Sequence, residues 1–284
     1  MSNSPFIVSA DWLEERLDNP TIKILDASWY LPDQGRDAKA EYDAAHIPGA
    51  IFFDQDLVVA AGSALPHTLP SPQEFQRYAQ TMGLCADDTI VVYDGPGYFS
   101  APRVWWMLRT MGAKKVFVLD GGFDNWKAQG RPTTDAPSVP VASTFTAKLD
   151  ADRVIDFRTM LATVTQASSQ IADARGAGRF SGEQPEPRAG MRSGHMPGAR
   201  NVPYASLSEN GYLKNLDQLR ATLVRAGIDP EQPVVTTCGS GVTACVIALA
   251  LESLGNNSVR VYDGSWCEWG ARDNTTIVTG GADE

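Results

Sequence analysis

Cysteine is scarce in this chain: four residues in 284, Cys85, Cys238, Cys245 and Cys267, with no pair at Cys-x-x-Cys spacing. So sparse and irregular a set excludes a disulfide scaffold, a paired-cysteine zinc site and a thioredoxin-type motif, and it fits a reducing compartment. Long apolar runs are missing as well. No stretch reaches the length of a membrane span, and Met1-Ser2-Asn3-Ser4-Pro5 lacks the basic start and apolar middle of a signal peptide. The expectation is a cytoplasmic protein with no membrane partner. Positive charge is also short: 24 Lys and Arg against 34 Asp and Glu leave a formal net charge of -10. That field repels nucleic acid and anionic small molecules alike, so an acidic substrate has to be met by a local group of arginines. Hairpin signals of the kind an antiparallel sandwich needs are not evident.

What is present is a repeat. In the first half an apolar run ending at Asp26 leads to His46-Ile47-Pro48-Gly49-Ala50, and in the second Ile171-Ala172-Asp173 leads to His195-Met196-Pro197-Gly198-Ala199. Thr89 to Gly95 then matches Pro233 to Gly239, and Val116 to Gly122 with Trp126 matches Val259 to Ser265 with Trp269. Within each copy short β-branched runs alternate with helical patterns, such as Trp12, Leu13 and Leu17 after Ser9, and Val242 to Leu254 before Gly255. Alternation of this kind predicts an α/β fold, each copy a parallel β-sheet flanked by helices. The boundaries expected are a first domain over 1–130, a linker over 131–148 carrying Pro132, Pro137 and Pro140, and a second domain over 149–284.

Cys238 ends the apolar run Pro233 to Thr237 and opens Cys238-Gly239-Ser240-Gly241-Val242-Thr243 ahead of a helical pattern. A strand so placed delivers a thiol onto a helix N-terminus, where free N–H groups favour an anion and glycines let the loop curl around the sulfur. Duplication supplies an internal control. A residue kept in both copies serves the fold, whereas one found only around Cys238 is a better candidate for chemistry. Asp94 stands where Cys238 stands, so the first copy has no nucleophile; His46 and His195, identical in context, read as turn residues. Of the three histidines, His67 alone has no repeat partner. Arg179 and Arg188 also lack counterparts in the first copy and fall in a segment broken by Gly182, Pro185 and Pro187. Arg175 reads equally well as a brace for the strand end and as a substrate contact. The tryptophans Trp12, Trp105, Trp106 and Trp126 and the thiol of Cys245 read as core, and Cys85 and Cys267 as surface thiols.

The tandem layout, the His-x-Pro-Gly-Ala turns, Asp94 opposite Cys238, Ser100 to Trp106, Gly178-Arg179-Phe180, Glu186-Pro187-Arg188 and Tyr262 to Trp266 together resemble the tandem rhodanese-domain sulfurtransferase family. The resemblance spans nearly the whole chain, and it implies an enzyme that takes sulfur from 3-mercaptopyruvate, holds it as a persulfide on Cys238 and passes it to thioredoxin, a small thiol or cyanide. It further implies that Arg179 and Arg188 hold the donor with Gly239, Gly241, Val242 and Thr243, and that Ser240 is linked to His67 and Asp56. No metal or organic cofactor is implied. Thiosulfate as the donor is the nearest alternative, although its two charges call for basic loop residues and Gly239 and Ser240 are neutral. A cysteine phosphatase would need an arginine six positions after the cysteine, where Ala244 stands. A non-catalytic binding module is a description that suits the first copy.

Overall fold

The computed structural model describes residues 3–281. They fold as two compact units, the first comprising residues up to Gly62, Leu69–Asp150 and Ser208–Leu213, the second Ser63–Thr68, Ala151–Leu207 and Lys214 onward.

The first unit is built on strands β1 (Ile7–Val8), β2 (Ile22–Asp26), β3 (Ala50–Phe52), β4 (Thr89–Tyr93) and β5 (Lys115–Leu119). They form one parallel sheet in the order β1-β5-β4-β2-β3. The β-branched run Thr-Ile-Val-Val-Tyr makes β4 a central strand with no polar face, as a sheet covered on both sides requires. Helices α1 (Ala10–Glu14), α2 (Ala38–Ala44), α3 (Pro72–Thr81), α4 (Ala101–Thr110) and α5 (Gly122–Ala128) connect the strands. Their starts follow local chemistry: the side chains of Ser9, Asp37 and Ser71 each accept an N–H of the first turn, and Ser71 with Glu74 closes a capping box. Trp105, Trp106 and Trp126 are buried as expected, and Trp12 packs at the core's edge.

The second unit repeats the plan. Strands β6 (Val154–Ile155), β7 (Gln170–Asp173), β8 (Ala199–Asn201), β11 (Val234–Thr237) and β12 (Val259–Tyr262) form a parallel sheet in the order β6-β12-β11-β7-β8, the same order once the copies are superposed in sequence. Helices α6 (Phe157–Gln166), α7 (Ala177–Ser181), α8 (Leu216–Arg225), α9 (Ala244–Ser253) and α10 (Ser265–Trp269) complete it. Helix α9 is apolar all round, with nine of its residues buried, because it is covered on every side. It begins at Ala244 rather than Val242, the intervening residues being spent on the loop after Cys238.

One expectation is corrected. A hairpin does exist: β9 (Ser208–Glu209) and β10 (Tyr212–Leu213) pair antiparallel around Asn210-Gly211, both at positive φ (52° and 84°). Asn-Gly is a strong two-residue hairpin signal, but the flanking strands of two residues each are too short to show alternation. Residues 131–150 hold no helix or strand; within them Thr134 exchanges backbone hydrogen bonds with His46. Among the described residues, no helix is long and apolar enough to cross a membrane.

Candidate active site

Strand β11 is buried along its whole length and leads directly into Cys238, which is 2% exposed. Three bonds hold the backbone there: the Cys238 N–H donates to Ser265 Oγ (3.2 Å), and the N–H groups of Trp266 and Cys267 donate to the carbonyls of Cys238 (2.9 Å) and Gly239 (2.8 Å). The start of α10 is thereby stapled to the cysteine loop. Ser265 adopts φ 50°, an unfavourable conformation for a residue with a Cβ, and its hydroxyl donates onward to the Tyr262 carbonyl (2.9 Å). Strain is tolerated because the hydroxyl satisfies two backbone groups at once.

The loop curls through Gly241, at φ 83°, whose N–H points at the Cys238 sulfur at 3.1 Å. Such a donor stabilises negative charge on the sulfur. Of the four loop residues expected to hold the donor, Gly241 makes this bond to the sulfur, and Thr243 is the residue from which α9 starts. Cys245 is buried, its thiol donating to the Gly241 carbonyl (3.3 Å). In the first unit the equivalent loop shows what it can hold. The Asp94 carboxylate, fully buried, accepts from the N–H groups of Gly97 (2.7 Å), Phe99 (2.9 Å), Ser100 (2.7 Å) and Ala101 (2.7 Å). Strand, loop and helix together form an anion cradle, filled in the first copy by the chain's own carboxylate.

Ser240 Oγ lies 3.0 Å from His67 Nδ1, and both residues are buried. His67 sits at φ 57°, a second non-glycine residue in the left-handed region at this place. Asp56 belongs to the first unit, where its two carboxylate oxygens each accept from the Trp29 indole N–H at 3.1 Å. His46 and His195 are structural: each is buried, stacked on Tyr42 or Phe180, and bonded through Nδ1 to a backbone carbonyl.

Two arginines reach the loop with different attachments. Arg179, on α7, pairs with the buried carboxylate of Glu186 through Nε (3.2 Å to each oxygen) and Nη2, and that Nη2 lies 3.1 Å from where a Cβ on Gly239 would be. Arg188 has no carboxylate partner among the described residues; its Nη1 meets the Cys267 sulfur at 3.5 Å. Arg175 resolves toward structure. It is buried, bonded to Asp173 (Nη2 to Oδ2 2.6 Å), Glu186 (2.7 Å) and the Gly194 carbonyl (2.9 Å), and stacked on Trp266. Cys267 is a correction: it is buried rather than a surface thiol. Burial pushes its thiol upward from the ordinary value, Arg188 pulls it down, and the charges of Cys238 and Glu186 push it up again. The segment 186–188 and the Cys238 loop thus each bring a group within electrostatic reach of Cys267 on α10. The roles of Glu186 and Ser265 are not readable in the sequence, since neither has a spacing that points to a function. Among the described residues no cluster of His, Cys, Asp and Glu is arranged to hold a metal ion.

Comparison with known proteins follows the same outline. The family description "Rhodanese-like domain" matches residues 9–129 and again 153–272. The 3-mercaptopyruvate sulfurtransferase of Escherichia coli K12 is 42% identical over 276 residues, covering 97% of this chain and 98% of that one. Thiosulfate sulfurtransferase of Rattus norvegicus is 43% identical over 271 residues, covering 93% and 91%. The crystal structure of the E. coli 3-mercaptopyruvate sulfotransferase SseA superposes with a TM-score of 0.85 at 40% identity, covering 92% of this chain and 98% of that one.

Proposed function

The chain belongs to the rhodanese family, and from that premise we propose that it is a sulfurtransferase whose donor is 3-mercaptopyruvate and whose sulfur carrier is Cys238. The observation that carries the choice of donor is Arg188, a partly buried guanidinium with no carboxylate of its own among the described residues, anchored on Cys267 beside the cysteine loop. A planar guanidinium suits a carboxylate bidentately, and a cation left unpaired near a nucleophile marks where an anion is held.

The reaction runs in two transfers. The Cys238 sulfur attacks the sulfur of the donor, the C–S bond breaks, and its electron pair leaves on carbon as the enolate of pyruvate, which takes up a proton. A persulfide remains on Cys238, its charge met by the Gly241 N–H. A thiol acceptor or cyanide then attacks the outer sulfur and the Cys238 thiolate departs. In this reading Ser240 and His67, whose side chains meet at 3.0 Å, take the proton of the donor's thiol and return one to the product. The part given to Asp56 rests on the family resemblance alone. Small thiols, thioredoxin or cyanide in a reducing cytoplasm remain the acceptors we favour.

Thiosulfate is the second reading, favoured by the 43% identity to a thiosulfate sulfurtransferase. Sequence identity does not separate the donors, so kinetics must. Incubation with 3-mercaptopyruvate and intact-mass measurement is expected to add one sulfur atom to the wild-type chain and none to Cys238→Ser, with pyruvate released in step. A wild-type chain left unmodified at saturating donor would defeat the proposal. A kcat/KM higher for thiosulfate than for 3-mercaptopyruvate would transfer it to the second reading.

A further inference from the structure

The charges around the cysteine loop do not cancel evenly. Asp173, Arg175, Glu186 and Arg179 form one chain of ion pairs, two acids against two bases, buried except at Arg179, with Glu186 bridging both arginines and only 4% of its side chain exposed. Arg188 stands outside that chain with no acid among the described residues. Near the sulfur the protein therefore presents two guanidinium groups but one uncompensated charge. The bond between Glu186 and Arg179 uses Nε and Nη2, leaving Nη1 without a partner among the described residues. Arg179 can still bond to a donor while its charge is already answered.

We propose that Glu186 is a specificity-determining residue of the sulfur-donor site: by neutralising Arg179 it sets the site's net charge at one, matched to a monoanionic carboxylate donor rather than a dianionic one. The proposal rests on Arg179 and Arg188 being donor anchors, as argued above. 3-Mercaptopyruvate carries one negative charge at neutral pH and thiosulfate two. In a partly buried site a second positive charge attracts the dianion about twice as strongly as the monoanion, since Coulomb energy scales with the product of charges. Glu186 thus subtracts more from thiosulfate than from 3-mercaptopyruvate. Its charge is felt in the site, where, together with the charge of Cys238, it raises the Cys267 thiol.

The test compares kcat/KM for the two donors in wild type, Glu186→Gln and Glu186→Asp. Glu186→Gln keeps the size and an oxygen acceptor but removes the charge, and the thiosulfate-to-mercaptopyruvate ratio is expected to rise about tenfold, an increase that shrinks as salt is added. Glu186→Asp keeps the charge, and its ratio is expected to stay within about twofold of wild type even where both rates fall. Equal losses for both donors in Glu186→Gln, or an equal shift in Glu186→Asp, would overturn the proposal by making Glu186 a purely geometric brace.

Glu186→Gln leaves buried Arg175 with one acid fewer, so a second variant guards against misfolding. Arg179→Gln leaves Glu186 paired with Arg175 and removes one positive charge from the site. There the ratio is expected to fall, and an unchanged or raised ratio counts against the proposal. A wild-type protein inactive toward 3-mercaptopyruvate would instead remove the functional reading beneath it.

Discussion

Arg188 and Arg179 show how much the partner of a charged side chain matters. Both stand out in the sequence by having no counterpart in the first repeat, yet one is paired with a buried acid and the other is not. A difference of that kind lies in side-chain geometry and leaves no mark on spacing. Asp26 makes a similar point in the first unit. It matches Asp173 in the repeat, but where Asp173 has Arg175 two positions on, Asp26 has Ser28, whose N–H donates at 2.9 Å. Without a cation, burial pushes the Asp26 carboxyl up to about 6 from an ordinary 3.8. Between those two values the folded chain keeps a proton that the unfolded chain releases, so this group's contribution to stability falls as pH rises through about 4 to 6. Above that window the folded state carries a penalty on the order of 3 kcal/mol. Asp26→Asn is expected to raise stability at about pH 7 and to flatten the decline between pH 4 and 6, as read by denaturant melts across pH. A variant less stable than wild type at pH 7 with an unaltered slope would refute it.

At the scale of elements, the cysteine loop is a junction of three pieces: a buried strand, a helix start and a second helix start that closes on it from α10. Strand β11 and helix α9 are legible in the sequence because β-branched and small apolar runs state their period plainly. The staple from α10 is not, because it joins groups 27 or more residues apart. The β9–β10 hairpin escapes for a different reason: its strands are short, and the turn belongs with surroundings distant in sequence. Gly211 lies at φ 84°, and a Cβ there would meet Asn125 Nδ2 at 2.6 Å and the Pro96 carbonyl at 2.8 Å. Gly211→Ala is expected to cost about 2 kcal/mol or more, combining left-handed strain with overpacking. A thermal melt with an unmoved midpoint would contradict this.

For the whole molecule, duplication divides labour. Both units carry the same strand order and the same strand-loop-helix cradle, but one cradle encloses a carboxylate and the other a thiol. Sulfur loading should therefore stop at one sulfane atom per chain however long the donor is present, counted by intact mass after removal of excess donor. A second atom added at saturation, retained in Cys238→Ser, would show another carrier. The sequence alone determined the repeat, the parallel α/β architecture and the candidate nucleophile, since each depends on local period or on comparing one half with the other. Only the tertiary structure decided which arginine is paired with an acid, what braces the loop and how Ser240 meets His67. Those facts depend on side chains far apart along the chain, and burial, not order in sequence, determines which acid or hydroxyl each one meets.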